Sequence, residues 1–198
     1  MGYAKRWAGV NRNMIRRPGT FLTEYRETDG IGHPVAFMLF SYLAVVVPLA
    51  VLAVVLNVTD PAGAAVAVLI FLGLGVAFWV MGLVEALLAH GIVYLFGGRG
   101  AGKTIEAYAF PTVIRYCLWW FPVVNIAFGL YGLYLQIKGL ATFHDISTGK
   151  AAVAGILASV LYLLPVIVVF AAVIAAFVLD LGPTAEPHQA MLVLEFVG

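Results

Sequence analysis

The sequence predicts an all-α protein, a polytopic transmembrane helical bundle of five membrane-spanning helices with a cytoplasmic N-terminus and an external C-terminus. Three observations carry this reading. Of 198 residues, 63% are apolar and 11% charged, with a mean hydropathy of +1.02, whereas soluble domains carry roughly 25% charge. Eleven basic and ten acidic residues cannot cover a water-soluble fold of this size, so the solvent is lipid. Apolar runs of the roughly 20 residues needed to cross about 30 Å of hydrocarbon recur along the chain. Finally, the basic residues concentrate in alternate polar segments, as the positive-inside rule requires. A formal net charge of +1 argues against a nucleic-acid surface, and the single cysteine, Cys117, excludes a disulfide framework and a cysteine-rich metal site.

Residues 1–34 read as a cytoplasmic amphipathic segment carrying Lys5, Arg6, Arg12, Arg16, Arg17 and Arg26 against Glu24, Glu27 and Asp29. No apolar run follows the basic start closely, so no cleavable signal peptide is expected. Tyr3, Trp7, Val10 and Met14 recur at helical spacing opposite Lys5, Arg6 and Arg12. That pattern suits an interfacial anchor, or a partner-binding helix, with the anchor preferred. The first span, 35–56, is uncharged. Asn57 to Pro61 forms a polar turn, because a residue before proline is pushed out of the helical region. Asn57-Val58-Thr59 is also a formal glycosylation sequon on the outer side, abutting the membrane. The second run, 62–96, is broken only by Glu85 and His90. It would reach roughly 52 Å as a helix, so it is either one overlong tilted helix or a helix plus an interfacial piece.

A glycine-rich basic loop, 97–103, precedes a shorter third span, 104–120, which contains Arg115 and ends at the Phe121-Pro122 break. Trp119, Trp120 and Phe121 suit an outer aromatic belt. The fourth span is 123–142, followed by a polar loop at 143–150, and the fifth and most apolar is 151–179. Residues 180–198 form an external tail with turn signals at Gly182, Pro183 and Pro187 and an apolar stretch, 191–197, too short to cross. With five crossings, the inner segments hold ten of the eleven basic residues: six before Val35, then Arg99 and Lys103, then Lys138 and Lys150. Arg115 is the eleventh. Splitting 62–96 into two crossings would put Arg99 and Lys103 outside, against the rule.

Gly97 to Thr104 satisfies the phosphate-binding pattern GxxxxGK[ST] letter for letter. Its chemistry needs a strand before the loop and a helix after it, so that backbone N–H groups converge on phosphate. Here an apolar membrane helix precedes it, so the sequence reads against a nucleotide partner and for a flexible, positive turn at the headgroups. Glu85, His90 and Arg115 are ionisable groups within apolar spans, where each is a functional candidate by default. Glu85 lies twelve residues before Gly97 and Arg115 twelve after Lys103. Helices meeting at that loop therefore carry both about 18 Å deep. They either pair, or Arg115 snorkels toward Trp119. His90 sits roughly 140° round the helix from Glu85 and has no second ligand at i+3 or i+4, so no metal site is expected. Gly73, Gly75 and Gly82 in the second run, and Gly129 and Gly132 in the fourth span, permit close helix packing, including homo- or hetero-oligomers through transmembrane helices. No catalytic triad, no paired carboxylates and no His/Cys cluster is present, so neither enzymatic activity nor a cofactor is expected.

The order of several segments carries a resemblance. Arg17-Pro18-Gly19-Thr20-Phe21-Leu22 precedes the first span, the Gly97-Gly98 loop precedes Tyr108-Ala109-Phe110-Pro111, and Ile137-Lys138-Gly139-Leu140 leads to Phe143-His144-Asp145-Ile146-Ser147 and Lys150-Ala151. Over about residues 10 to 178 the chain resembles the YIP membrane family, the Ypt/Rab-interacting proteins, in their short prokaryotic form. The resemblance implies five transmembrane helices, a cytoplasmic N-terminus and an external C-terminus. In eukaryotic relatives it implies vesicle trafficking and membrane shaping through Rab GTPases and reticulon-like partners. The Asp-Leu-Tyr-Gly-Pro motif of those relatives is absent here, so Rab binding is not carried over. The expectation is a non-enzymatic multi-pass protein of the cell membrane, with lipid as its first partner and a role in membrane organisation or protein interaction. The alternative is a small transporter or channel subunit using Glu85, Arg115 and His90.

Overall fold

The computed structural model describes residues 2–25, 30–119 and 121–180, and all regular structure among them is helical. The helices are α1 (Tyr3–Arg16), α2 (Pro18–Glu24), α3 (Gly32–Leu56), α4 (Pro61–Leu95), α5 (Ala101–Ala109), α6 (Thr112–Tyr116), α7 (Pro122–His144) and α8 (Thr148–Asp180). The chain divides inside α8 into two compact units, Met1–Ser159 and Val160–Gly198. The packing described below belongs to the first. The expected tail beyond Asp180 and its apolar stretch lie outside the described residues, as does Trp120.

Local chemistry sets the helix ends. Pro61 occupies the first turn of α4, and the Asp60 carboxylate accepts from the Gly63 N–H at 3.0 Å, an N-cap that satisfies a donor the helix cannot. From that cap α4 runs unbroken for 35 residues, which decides the second apolar run in favour of one long helix. Pro18 and Pro122 also occupy the first turns of α2 and α7, there without a side-chain cap. Asp145 closes α7 in the left-handed region at φ 51°, which aspartate tolerates better than most residues.

By length and composition, α3, α4 and Val123–His144 of α7 are each able to cross a membrane. The segment expected as the third span is different: it is two short helices, α5 and α6, divided at Phe110-Pro111. Pro111 has no N–H to continue the ladder and starts α6 afresh, with the Arg115 N–H on its carbonyl at 2.8 Å. The sequence alone points to a proline break only at Phe121-Pro122. The division turns Phe110, fully buried, into the hub of an aromatic cluster, with ring centroids 4.9 Å from Tyr25, 5.2 Å from Phe37, 5.5 Å from Phe21 and 6.4 Å from Phe143.

The N-terminal segment also departs from its expected role. Its apolar stripe does not face lipid. Val10 and Met14 are buried in the core, Trp7 Nε1 donates to Ser41 Oγ at 3.1 Å, and the Tyr3 ring packs against Phe40 at 5.0 Å between centroids. The stripe is thus a tertiary contact with α3, and the basic face opposite is what remains exposed. The physical reason is competition: a packed, aromatic-rich helix face offers these side chains denser contacts than loosely ordered acyl chains do.

Three of the five glycines read as packing positions make close approaches. A Cβ on Gly75 would sit 2.9 Å from Val46, one on Gly82 2.8 Å from Tyr42 Oη, and one on Gly132 2.7 Å from Arg115 Cγ. Gly73 and Gly129 meet open space. Large apolar side chains stay exposed along α3, α4 and α7, among them Val55, Leu69, Val123 and Ile126, as expected of surfaces bathed in hydrocarbon.

Candidate functional site

Glu85 and Arg115, from α4 and α6, meet in a buried ion pair. Arg115 Nη1 lies 3.2 Å from both carboxylate oxygens, with side-chain exposures of 14% for Arg115 and 2% for Glu85. Two uncharged residues close the group. Ser159 Oγ on α8 donates to Glu85 Oε1 at 2.6 Å, and Arg115 donates to Gln136 Oε1 on α7 at 2.7 Å. Four helices therefore converge on one charge pair. The Arg115 guanidinium also lies 5.3 Å from the Tyr116 ring, which in turn is 5.2 Å from Tyr42 on α3. Gly132 leaves the space in which the Arg115 stem sits. Chemically the arrangement neutralises itself: the positive and negative charges cancel, and Gln136 and Ser159 take up further lone pairs and protons. One polar atom nearby is not satisfied, the Tyr108 hydroxyl, which is buried without a hydrogen-bond partner.

His90, the third candidate, does not join this group, in keeping with its position round the helix. Its Nδ1 is 2.9 Å from Thr104 Oγ1, and the same hydroxyl is 2.8 Å from His144 Nε2. The two imidazole centroids are 6.2 Å apart. A threonine hydroxyl has one proton to give and two lone pairs, so at most one imidazole accepts from it and at least one donates to it. Thr104 is the last residue of the phosphate-loop pattern, and its hydroxyl is engaged by the histidines. The loop has its own packing logic. Gly97 and Gly100 adopt φ of 93° and 89°, and a Cβ on Gly98 would press within 3.1 Å of His144 Nδ1. Arg99 folds back over the Tyr94 ring at 4.1 Å and donates to the carbonyls of Gly98 and Tyr94 at 3.0 and 3.3 Å. Among the described residues, no group of three or more His, Cys, Asp or Glu side chains is arranged to hold a metal ion.

Sequence reasoning singles out Glu85, His90 and Arg115 but misses Gln136, Ser159 and His144 as their partners. A signal exists for the first two: each is an uncharged polar side chain inside an otherwise apolar run, and such a group in lipid seeks a partner. His144 sits at the end of α7, where only the fold brings it to Thr104.

Comparison with protein families identifies the Yip1 domain over residues 12–182. No curated protein and no solved structure matches the chain.

The shared hydroxyl generates a direct test. Thr104→Val keeps the shape and strands two imidazoles, so thermal denaturation in detergent should show a loss of about 1–3 kcal/mol. Thr104→Ser, which keeps the hydroxyl, should lose much less. Equal losses in the two variants would mean that the threonine methyl, not its hydroxyl, holds the site.

Proposed function

Because the chain belongs to the Yip1 family, we propose that it is a non-enzymatic, multi-pass protein of the cell membrane that organises the bilayer or associates with other proteins through its helices. It crosses five times in this reading, N-terminus inside and C-terminus outside. α5 and α6 together make the third crossing and α8 the fifth. The distribution of basic residues supports the orientation, since ten of the eleven then lie in inner segments. The observation that carries the function is the closure of the Glu85–Arg115 pair by Gln136 and Ser159. A transport site keeps an ionisable group free to exchange its partner for solvent or substrate, whereas here each charge is already held by the other and by a neutral neighbour.

A second reading, a small transporter or channel subunit, draws support from the buried Tyr108 hydroxyl, an unsatisfied polar atom of the kind that lines water-filled paths.

Reconstitution separates the two. Vesicles holding the purified protein should dissipate an imposed pH or potassium gradient no faster than empty vesicles. A faster leak that disappears in Glu85→Gln would establish the transporter. For the topology, single cysteines at positions 59, 101 and 190 in a Cys117→Ser background should react with an impermeant thiol reagent from outside, inside and outside respectively. External labelling of position 101 would overturn the five-crossing arrangement.

A further inference from the structure

The elbow between α1 and α2 gathers polar side chains that the Glu85–Arg115 group does not use. Arg17 is the N-cap of α2, and Thr20, Phe21 and Glu24 follow it by three, four and seven positions, so the four fall on one face of that short helix. With Asn13 from the last turn of α1 and Tyr25 at the C-cap of α2, they line a cavity of about 300 Å³. Seven residues at helical rise put the Arg17 and Glu24 positions about 10 Å apart. The cavity therefore has a basic end and an acidic end.

Its charges are not spent on each other. Arg17 and Glu24 are both exposed, and among the described residues neither forms an ion pair. The Asn13 carboxamide and the Thr20 hydroxyl likewise make no hydrogen bond among them. The aromatic wall, by contrast, is fixed. The Phe21 and Tyr25 rings lie 5.3 Å apart, both pack on the buried Phe110, and Tyr25 Oη donates to Glu106 Oε1 at 3.3 Å. Two opposite charges, an amide and a hydroxyl thus surround a cavity with a held apolar side.

We infer that this cavity binds a phosphoethanolamine group, a phosphate ester of a primary amino alcohol, with the phosphate on Arg17 and the ammonium on Glu24. A simple anion would face the Glu24 carboxylate and a simple cation the Arg17 guanidinium, so the ligand carries both signs. An α-amino acid holds its two charges on one carbon, whereas the ester spreads them along a link that suits groups two helical turns apart. A guanidinium matches phosphate oxygens in a fork of paired hydrogen bonds, and Asn13 and Thr20, four before and three after Arg17, supply further donors. Glu24 accepts from a primary ammonium; a quaternary one has no N–H to give and is recognised by ring faces instead. The same group exists as a lipid headgroup and as a soluble phosphorylated amine. The assignment rests neither on the number of crossings nor on the absence of transport.

Equilibrium dialysis of the full-length protein in detergent micelles tests it with labelled O-phosphoethanolamine, which should bind at one site. Inorganic phosphate and ethanolamine each supply half of the ligand, and each should bind at least about tenfold more weakly for want of one charge-assisted contact. Arg17→Ala should weaken O-phosphoethanolamine about tenfold and leave ethanolamine unaffected, while Glu24→Ala should weaken it similarly and leave inorganic phosphate no weaker. Both positions are exposed, and thermal unfolding like that of the parent protein certifies that each variant folds. Dioleoyl phosphatidylethanolamine added to the micelles should displace the labelled compound if the natural ligand is a lipid headgroup; undiminished binding in its presence would assign the site to the soluble amine. Absence of O-phosphoethanolamine binding, equally tight binding of O-phosphocholine, or an affinity unchanged in either variant would each overturn the assignment.

Discussion

A carboxylate removed from water must be met by a positive charge and by hydrogen bonds, and most of this structure follows from meeting that requirement at Glu85. The effective cost of burying an isolated ion is several kcal/mol even after relaxation. Arg115 supplies the charge, Ser159 donates to the carboxylate, and Gln136 accepts from Arg115 in turn. Each comes from a different helix. The four-residue group can form only when α4, α6, α7 and α8 are all in register, so it specifies one arrangement among many that would bury apolar surface equally well. In lipid this matters more than in water, because no hydrophobic driving force draws apolar helix faces together and packing and hydrogen bonds must do so.

Small residues and a broken helix make that register attainable. Gly132 admits the stem of Arg115, and Gly82 admits the Tyr42 hydroxyl. The division at Phe110-Pro111 lets α6 present Arg115 while Phe110 joins rings from α2, α3 and α7. Toward the Gly97–Gly100 loop, the same economy holds with neutral groups: Thr104 serves two histidines with one hydroxyl, and the loop glycines let the chain pass close to His144. Of the letters that match a phosphate-binding loop, Gly98 and Thr104 take part in these contacts.

Composition alone makes the helical membrane class legible, and the order of short segments makes the Yip1 family legible as well. Equal spacing of Glu85 and Arg115 from the glycine loop brings them to a common depth, and they do pair. What the sequence hides are properties of several elements at once. The Phe110-Pro111 break competes with an apolar run that looks continuous, and only the aromatic cluster around Phe110 shows which wins. The α1 stripe has the periodicity of a membrane anchor, yet periodicity does not say whether lipid or protein covers it, and α3 does. Gln136 and Ser159 carry no charge, so a search for ionisable groups passes over them. His90 looks isolated because its partners, Thr104 and His144, are distant in sequence.

A double-mutant cycle on the ion pair tests the central claim most directly, with unfolding followed by tryptophan fluorescence in detergent micelles. If the pair sets the register of the four helices, Glu85→Ala and Arg115→Ala should each cost about 3–5 kcal/mol by leaving a buried charge uncompensated. The double variant should then be no less stable than either single one. Single losses within about 0.5 kcal/mol of zero, or losses that simply add in the double variant, would contradict the account.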